Sequence, residues 1–165
     1  MILLIGNLRM IAQRGLKNIV LVAFLLALAA CGSDAALRQA GTDDSPGHRA
    51  ALAALAQVGV PYRYGGQSPR GFDCSGLVHF AYLEAGVSIP RTTKQLWSAA
   101  ETIEGDELQA GDLLFFRIDG KVSHVGMYLG ERRFVHAPQS GRTVAVASLE
   151  TPFYRQALIR TARIY

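Results

Sequence analysis

The 165-residue chain has only two cysteines, Cys31 and Cys74. Neither belongs to a Cys-x-x-Cys pair, which excludes a disulfide framework and the usual four-ligand structural zinc spacing. No internal repeat is visible. No apolar run reaches the roughly 20 residues that a bilayer core requires; the one beginning at Ile19 runs about 12. Basic residues outnumber acidic ones, 17 to 13, but Arg9, Arg14 and Lys17 fall in the first thirty residues, where there is no acid. Without them 14 basic residues face 13 acidic ones, a net charge of +1. Such a chain lacks the dense Lys/Arg footprint that phosphate neutralisation demands, so no nucleic-acid partner is expected.

What is present begins with an export pattern. A basic stretch, an apolar stretch and small residues lead to Leu28-Ala29-Ala30-Cys31, and the pattern reads as a secretory signal over residues 1–30. Met10, followed by Arg14 and Lys17, offers a better start for it than Met1. The Ala-Ala-Cys ending resembles the lipobox of bacterial lipoproteins, which implies cleavage before Cys31, a lipid on that cysteine and attachment to a membrane. Gly32 follows instead of an Asp retention signal, which favours the periplasmic face of the outer membrane. Residues 31–45 are small and polar and read as a tether, with a typical reach of ~20 Å. Residues 46–165 are the size of one domain with one core, expected to act as a monomer.

Within that domain Ser45-Pro46 marks a helix start, and the segment Arg49 to Val58 is rich in Ala and Leu until Gly59 and Pro61 stop it. Residues 61–72 read as a loop by their glycines and prolines. Asp73 is suited to cap a helix from Cys74 to Ala85, ended by Gly86, and a second helix is expected from Thr93 to Ala100. From Gly111 onward short apolar runs separated by turns signal strands at 112–117, 124–129, 133–137, 143–147 and 158–164. Helices first and about five strands afterwards point to an α+β fold with helices packed on an antiparallel sheet.

Cys74 is a lone thiol at a helix start, where unpaired N–H groups and the macrodipole are expected to favour the thiolate and could hold an oxyanion. Gly71 and Gly76 are read as leaving room for a substrate backbone. His124 and His136 flank the turn at Gly130-Glu131-Arg132. An odd loop puts both on one sheet face, about 4.5 to 8 Å apart at Cβ, whereas a four-residue loop sends them to opposite faces. A thiol, a base and a group that orients the base are what nucleophilic amide hydrolysis needs.

These residues carry a resemblance. Pro61-Tyr62-Arg63-Tyr64-Gly65-Gly66, Phe72-Asp73-Cys74-Ser75-Gly76-Leu77, Ile89-Pro90-Arg91-Thr92-Thr93, Ala110-Gly111-Asp112-Leu113, Ser123-His124-Val125-Gly126-Met127-Tyr128-Leu129-Gly130 and Phe134-Val135-His136-Ala137 occur in the order seen in the NlpC family of bacterial cell-wall cysteine endopeptidases. The resemblance implies a papain-like α+β fold whose nucleophile-bearing helix packs on the sheet. It implies Cys74 as nucleophile, His124 as general base and then acid, and His136 as the group orienting it. Tyr62 matches a tyrosine that helps bind the substrate carbonyl or oxyanion, and Asp73 and Ser75 match positions that shape the substrate site. The implied substrate is the peptide stem or cross-link of peptidoglycan, with no metal or organic cofactor.

Other readings use the same residues: a buried structural thiol, a Cys/His/His zinc site, a silent wall-binding lipoprotein, or a thiol-dependent acyl or amide transferase acting outside the wall. His48 and His79 are read as bystanders, and Arg91 and Lys94 as solvated charges or ligands for substrate carboxylates.

Overall fold

The computed structural model describes residues 44–165. The expected signal, Cys31 and the tether up to residue 43 lie outside the described residues. Helix α1 (Pro46–Leu55) starts where the sequence signals it: the Ser45 hydroxyl accepts from the His48 amide, and proline occupies the first turn, where its missing N–H costs nothing. It ends short of Val58, in a turn before Gly59. The segment read as a loop contains a small hairpin, β1 (Gln67–Ser68) and β2 (Gly71–Phe72). Asp73 then caps α2 (Cys74–Glu84), its carboxylate accepting from the Gly76 amide at 2.7 Å. Thr92 caps α3 (Thr93–Ala99) in the same way, through the Gln95 amide.

The sheet has six strands rather than five. The five expected ones are β4 (Leu113–Ile118), β5 (Lys121–Gly130), β6 (Arg133–His136), β7 (Ala145–Ser148) and β8 (Leu158–Arg163). The sixth, β3 (Glu101–Thr102), pairs with the edge of β8 and is too short to leave an alternating pattern. The spatial order is β3-β8-β4-β5-β6-β7, with every pair antiparallel. A six-residue helix that the sequence reading missed, α4 (Pro152–Ala157), precedes β8.

Strand alternation divides the apolar residues between two clusters. Leu113, Phe115, Val125, Met127 and Val135 join α1 and α2 residues such as Ala50, Leu77 and Val78 in the larger core. Leu114, Phe116 and Phe134 form the smaller one with Leu149, and Tyr154 and Ala157 of α4 pack against it. Asp112, fully buried, is held by two 2.8 Å contacts from the Arg163 guanidinium and by the Gln109 amide.

Two irregularities in β5 set where its side chains point. Phe116 pairs with His124 but Arg117 pairs with Val122, so Ser123 is an extra residue. Tyr128 pairs with Phe134 but Gly130 pairs with Arg133, so Leu129 is another. Bulges of this kind bend a strand and re-aim the side chains beside them.

Candidate active site

Cys74 occupies the first position of α2, and its amide and that of Ser75 have no carbonyl partner within the helix. The sulfur lines a groove of about 630 Å³ together with Tyr62, Tyr64, Asp73, Arg91, Thr93 and Ser123. It is 3.7 Å from the Thr93 hydroxyl and 3.9 Å from the carbonyl of Ser123. The thiol therefore lies against the main chain beside His124. Burial pushes it above its ordinary value, and the lowering by Thr93 and by the backbone of Val125 and Ser75 does not overcome this. This direction runs against the expected pull of the helix-start amides toward the thiolate.

His124 and His136 come together on one sheet face. Nε2 of His124 and Nδ1 of His136 are 2.8 Å apart, with the rings edge to face. Both side chains are buried, packed against Phe116 and Phe134 respectively. Burial pushes both imidazoles down, and at His124 the neighbouring His136 adds to it, so both are neutral near pH 7. Among the described residues no group of three or more His, Cys, Asp or Glu side chains is placed to hold a metal ion. The pair lines a second depression of about 520 Å³ with Arg142, Phe153 and Tyr154. It adjoins the first at the consecutive residues Ser123 and His124.

Tyr62 reaches the cysteine groove because its chain segment is pinned on both sides: its amide donates to the Arg142 carbonyl at 2.8 Å and the Arg63 amide to that of Phe72 at 2.9 Å. Burial, then the charges of Cys74 and Asp73, raise its phenol, which stays a proton donor. Tyr64 lines the same groove and is 93 % exposed, so both tyrosines face it.

Asp73 and Ser75 are engaged by this chain itself. Both Asp73 oxygens accept from the Arg91 guanidinium at 2.9 Å, which also donates to the Ser75 hydroxyl, the Gly66 carbonyl and the Gln67 side chain. Burial works to raise the Asp73 carboxyl, but Arg91 and the amides of Gly76 and Gly65 outweigh it and hold it below the usual carboxylate range. Arg91 is thus the hub of the helix start, a role that the sequence reading left undecided. The room at Gly76 is not for substrate: a Cβ there would sit 2.0 Å from the Gly66 carbonyl and 2.8 Å from Arg91. At Gly71 the Arg63 side chain fills the space in the same way. His79 is turned to the Ile89 carbonyl at 2.9 Å, away from the site. Thr93, Ser123, Arg142 and Tyr154 were not anticipated as lining residues; only Thr93 and Ser123, each within a motif of the family resemblance, carried a sequence signal.

Comparison with known proteins gives one consistent result. The model of the NlpC/P60 family matches residues 59–163. The murein DD-endopeptidase MepH of Escherichia coli (strain K12) is 40% identical over 116 residues, covering 67% of this chain and 43% of that protein. A gamma-D-glutamyl-L-lysine dipeptidyl-peptidase of Bacillus subtilis (strain 168) is 35% identical over 111 residues, covering 66% and 38%. The crystal structure of the NlpC/p60 domain of the peptidoglycan hydrolase SagA superposes with a TM-score of 0.62 at 36% identity, covering 71% of this chain and 97% of that one. The chain spans less than half the length of the curated relatives it matches.

Proposed function

The chain belongs to the NlpC/P60 family, and on that footing we propose that it is a cysteine peptidase hydrolysing amide bonds in the stem or cross-link peptides of peptidoglycan. The observation that carries this reading is the junction of the two depressions, where the Cys74 sulfur lies against the Ser123 carbonyl next to a hydrogen-bonded pair of imidazoles. Nε2 of His124 is committed to His136, so in this reading Nδ1 is the ring nitrogen left to take the thiol proton.

In this reading both partners start neutral. Nδ1 of His124 takes the thiol proton as Sγ attacks the scissile carbonyl, and the resulting oxyanion is met by the helix-start amides and the Tyr62 hydroxyl. The C–N bond then breaks, the imidazolium gives its proton to the leaving amine, and an acyl-enzyme remains. A water activated by the same imidazole hydrolyses the thioester and restores the thiol. No cofactor enters the scheme. The charge of the cleft suits a substrate bearing carboxylates: Lys94 lines one depression and Arg142 the other. The one carboxylate lining either, Asp73, is neutralised by Arg91.

Export, lipid attachment at Cys31 and monomeric action at the periplasmic face of the outer membrane belong to the same proposal, on the strength of the sequence pattern alone. Mass spectrometry of the mature N-terminus tests the lipid. For the activity, purified wall is incubated with wild-type protein and with Cys74→Ser. Muropeptide release by the wild type alone is expected; equal release by both would overturn the peptidase reading, and release by neither would favour a silent wall-binding protein.

A further inference from the structure

We propose that Tyr154 is a positioning residue that sets the proton arrangement of the imidazole pair, an inference that rests on the reading of His124 as the base. Tyr154 lies on α4 with its ring edge-on to His136, at 5.4 Å and 89°, and to Phe134, at 4.9 Å and 85°. Its Oη is 3.3 Å from Nε2 of His136. Three side chains are therefore joined in series: the Nε2 of His124 to the Nδ1 of His136, and the Nε2 of His136 to the phenol.

Proton counting fixes the direction of that series. A neutral imidazole carries one N–H and one bare nitrogen. For His124 to accept a proton at Nδ1, its own proton must sit on Nε2 and be donated to Nδ1 of His136. The proton of His136 is then on its Nε2, and the Tyr154 oxygen must accept it. The opposite polarity, with the phenol donating into His136, moves each proton to the other nitrogen and leaves Nδ1 of His124 occupied. The three-ring series has two states, and only one of them leaves a base facing the thiol.

The accepting state of Tyr154 is the one that the reading of His124 as base requires. Arg142 lines the same depression, and its charge acts on the phenol against the upward push of burial. Water in place of the phenol oxygen would either donate or accept, and both states of the series would be populated.

The test is Tyr154→Phe, which keeps the ring contacts and deletes one oxygen. In resting wild-type protein, ¹⁵N NMR of labelled histidines is expected to show both rings protonated at Nε2; in Tyr154→Phe, His136 becomes a mixture of tautomers. With muropeptide substrate, kcat is expected to fall about tenfold, the scale of one hydrogen bond to a group that becomes charged, at unchanged KM. Nδ1-protonated rings in the wild type, or the same tautomers in both proteins, would overturn the proposal. The wild-type spectrum decides the point even where the variant folds poorly. It also decides where no turnover is found, which would count against the peptidase reading and not against the tautomer assignment.

Discussion

His124 and His136 face each other at 2.8 Å on one side of the sheet although the turn between their strands has only two residues, Glu131 and Arg132. Both turn residues have positive φ, 50° and 55°, the geometry of a tight primed hairpin. With an unbroken ladder, Gly130 opposite Arg133 would put positions 124 and 136 on opposite faces. The extra residue Leu129 shifts the register by one and restores the parity that an odd loop would have supplied.

Deleting Leu129 should therefore separate the two rings. The expected outcome is loss of the inter-histidine contact by NMR and a fall in muropeptide release to the level of Cys74→Ser, with the far-ultraviolet circular dichroism retained. Retained activity would show that the strand pairs in another register.

Stability should drop in mild acid. In the unfolded chain both imidazoles take up protons near pH 6.5; in the folded protein burial holds His136 down to about 4 and His124 to about 3. Between those limits the unfolded state binds more protons, so unfolding free energy falls as pH falls, by roughly 2 kcal/mol per unit between pH 6 and 5. Asp73, held low by Arg91, adds a further loss only below the ordinary carboxylate range. Urea titrations at pH 7.5, 6 and 5 measure this, and a flat stability across them would contradict the burial of neutral rings.

Alkylation of Cys74 should report a raised thiol. With burial opposing the thiolate, the second-order rate with iodoacetamide is expected to climb through pH 9 with no plateau at neutrality. A plateau already reached at pH 6 to 7 would mean a resting thiolate–imidazolium pair and a stepwise, not concerted, proton transfer.

Arg163→Met should destabilise the domain by about 3 to 5 kcal/mol, because it strands the fully buried Asp112 carboxylate without its cation. Adding Asp112→Asn should recover much of that loss in chemical denaturation. If the double variant is no more stable than the single one, the charge is not the cause.

Much of this site could be read from residue types whose physics is local. Ser45 with Pro46, Asp73 and Thr92 each announce a helix start because a side-chain oxygen beside unpaired amides is favourable wherever it occurs. Asp119-Gly120 marks the β4–β5 turn because both residues tolerate the positive φ that the turn requires. What escaped depends on the whole fold. A bulge such as that at Leu129 has no composition of its own, and its effect on parity appears only once two strands are paired. β3 has two residues and α4 six, too few for a period; with α4 went Tyr154. A helix start can be recognised in sequence, whereas the burial that opposes the thiolate there cannot. Gly76 reads in sequence as room for a substrate backbone, but the neighbour that approaches is the chain's own Gly66 carbonyl.

Arg91 comes from the segment ahead of α3, yet its five donor contacts fasten the turn at Gly66, the hairpin residue Gln67 and the first turn of α2 to one another. Three stretches of chain thereby share a single anchor point, and the nucleophile inherits its coordinates from all of them. A cut in the backbone anywhere between residues 66 and 91 would leave every reactive atom intact and still silence the protein, by loosening the knot that aims the sulfur.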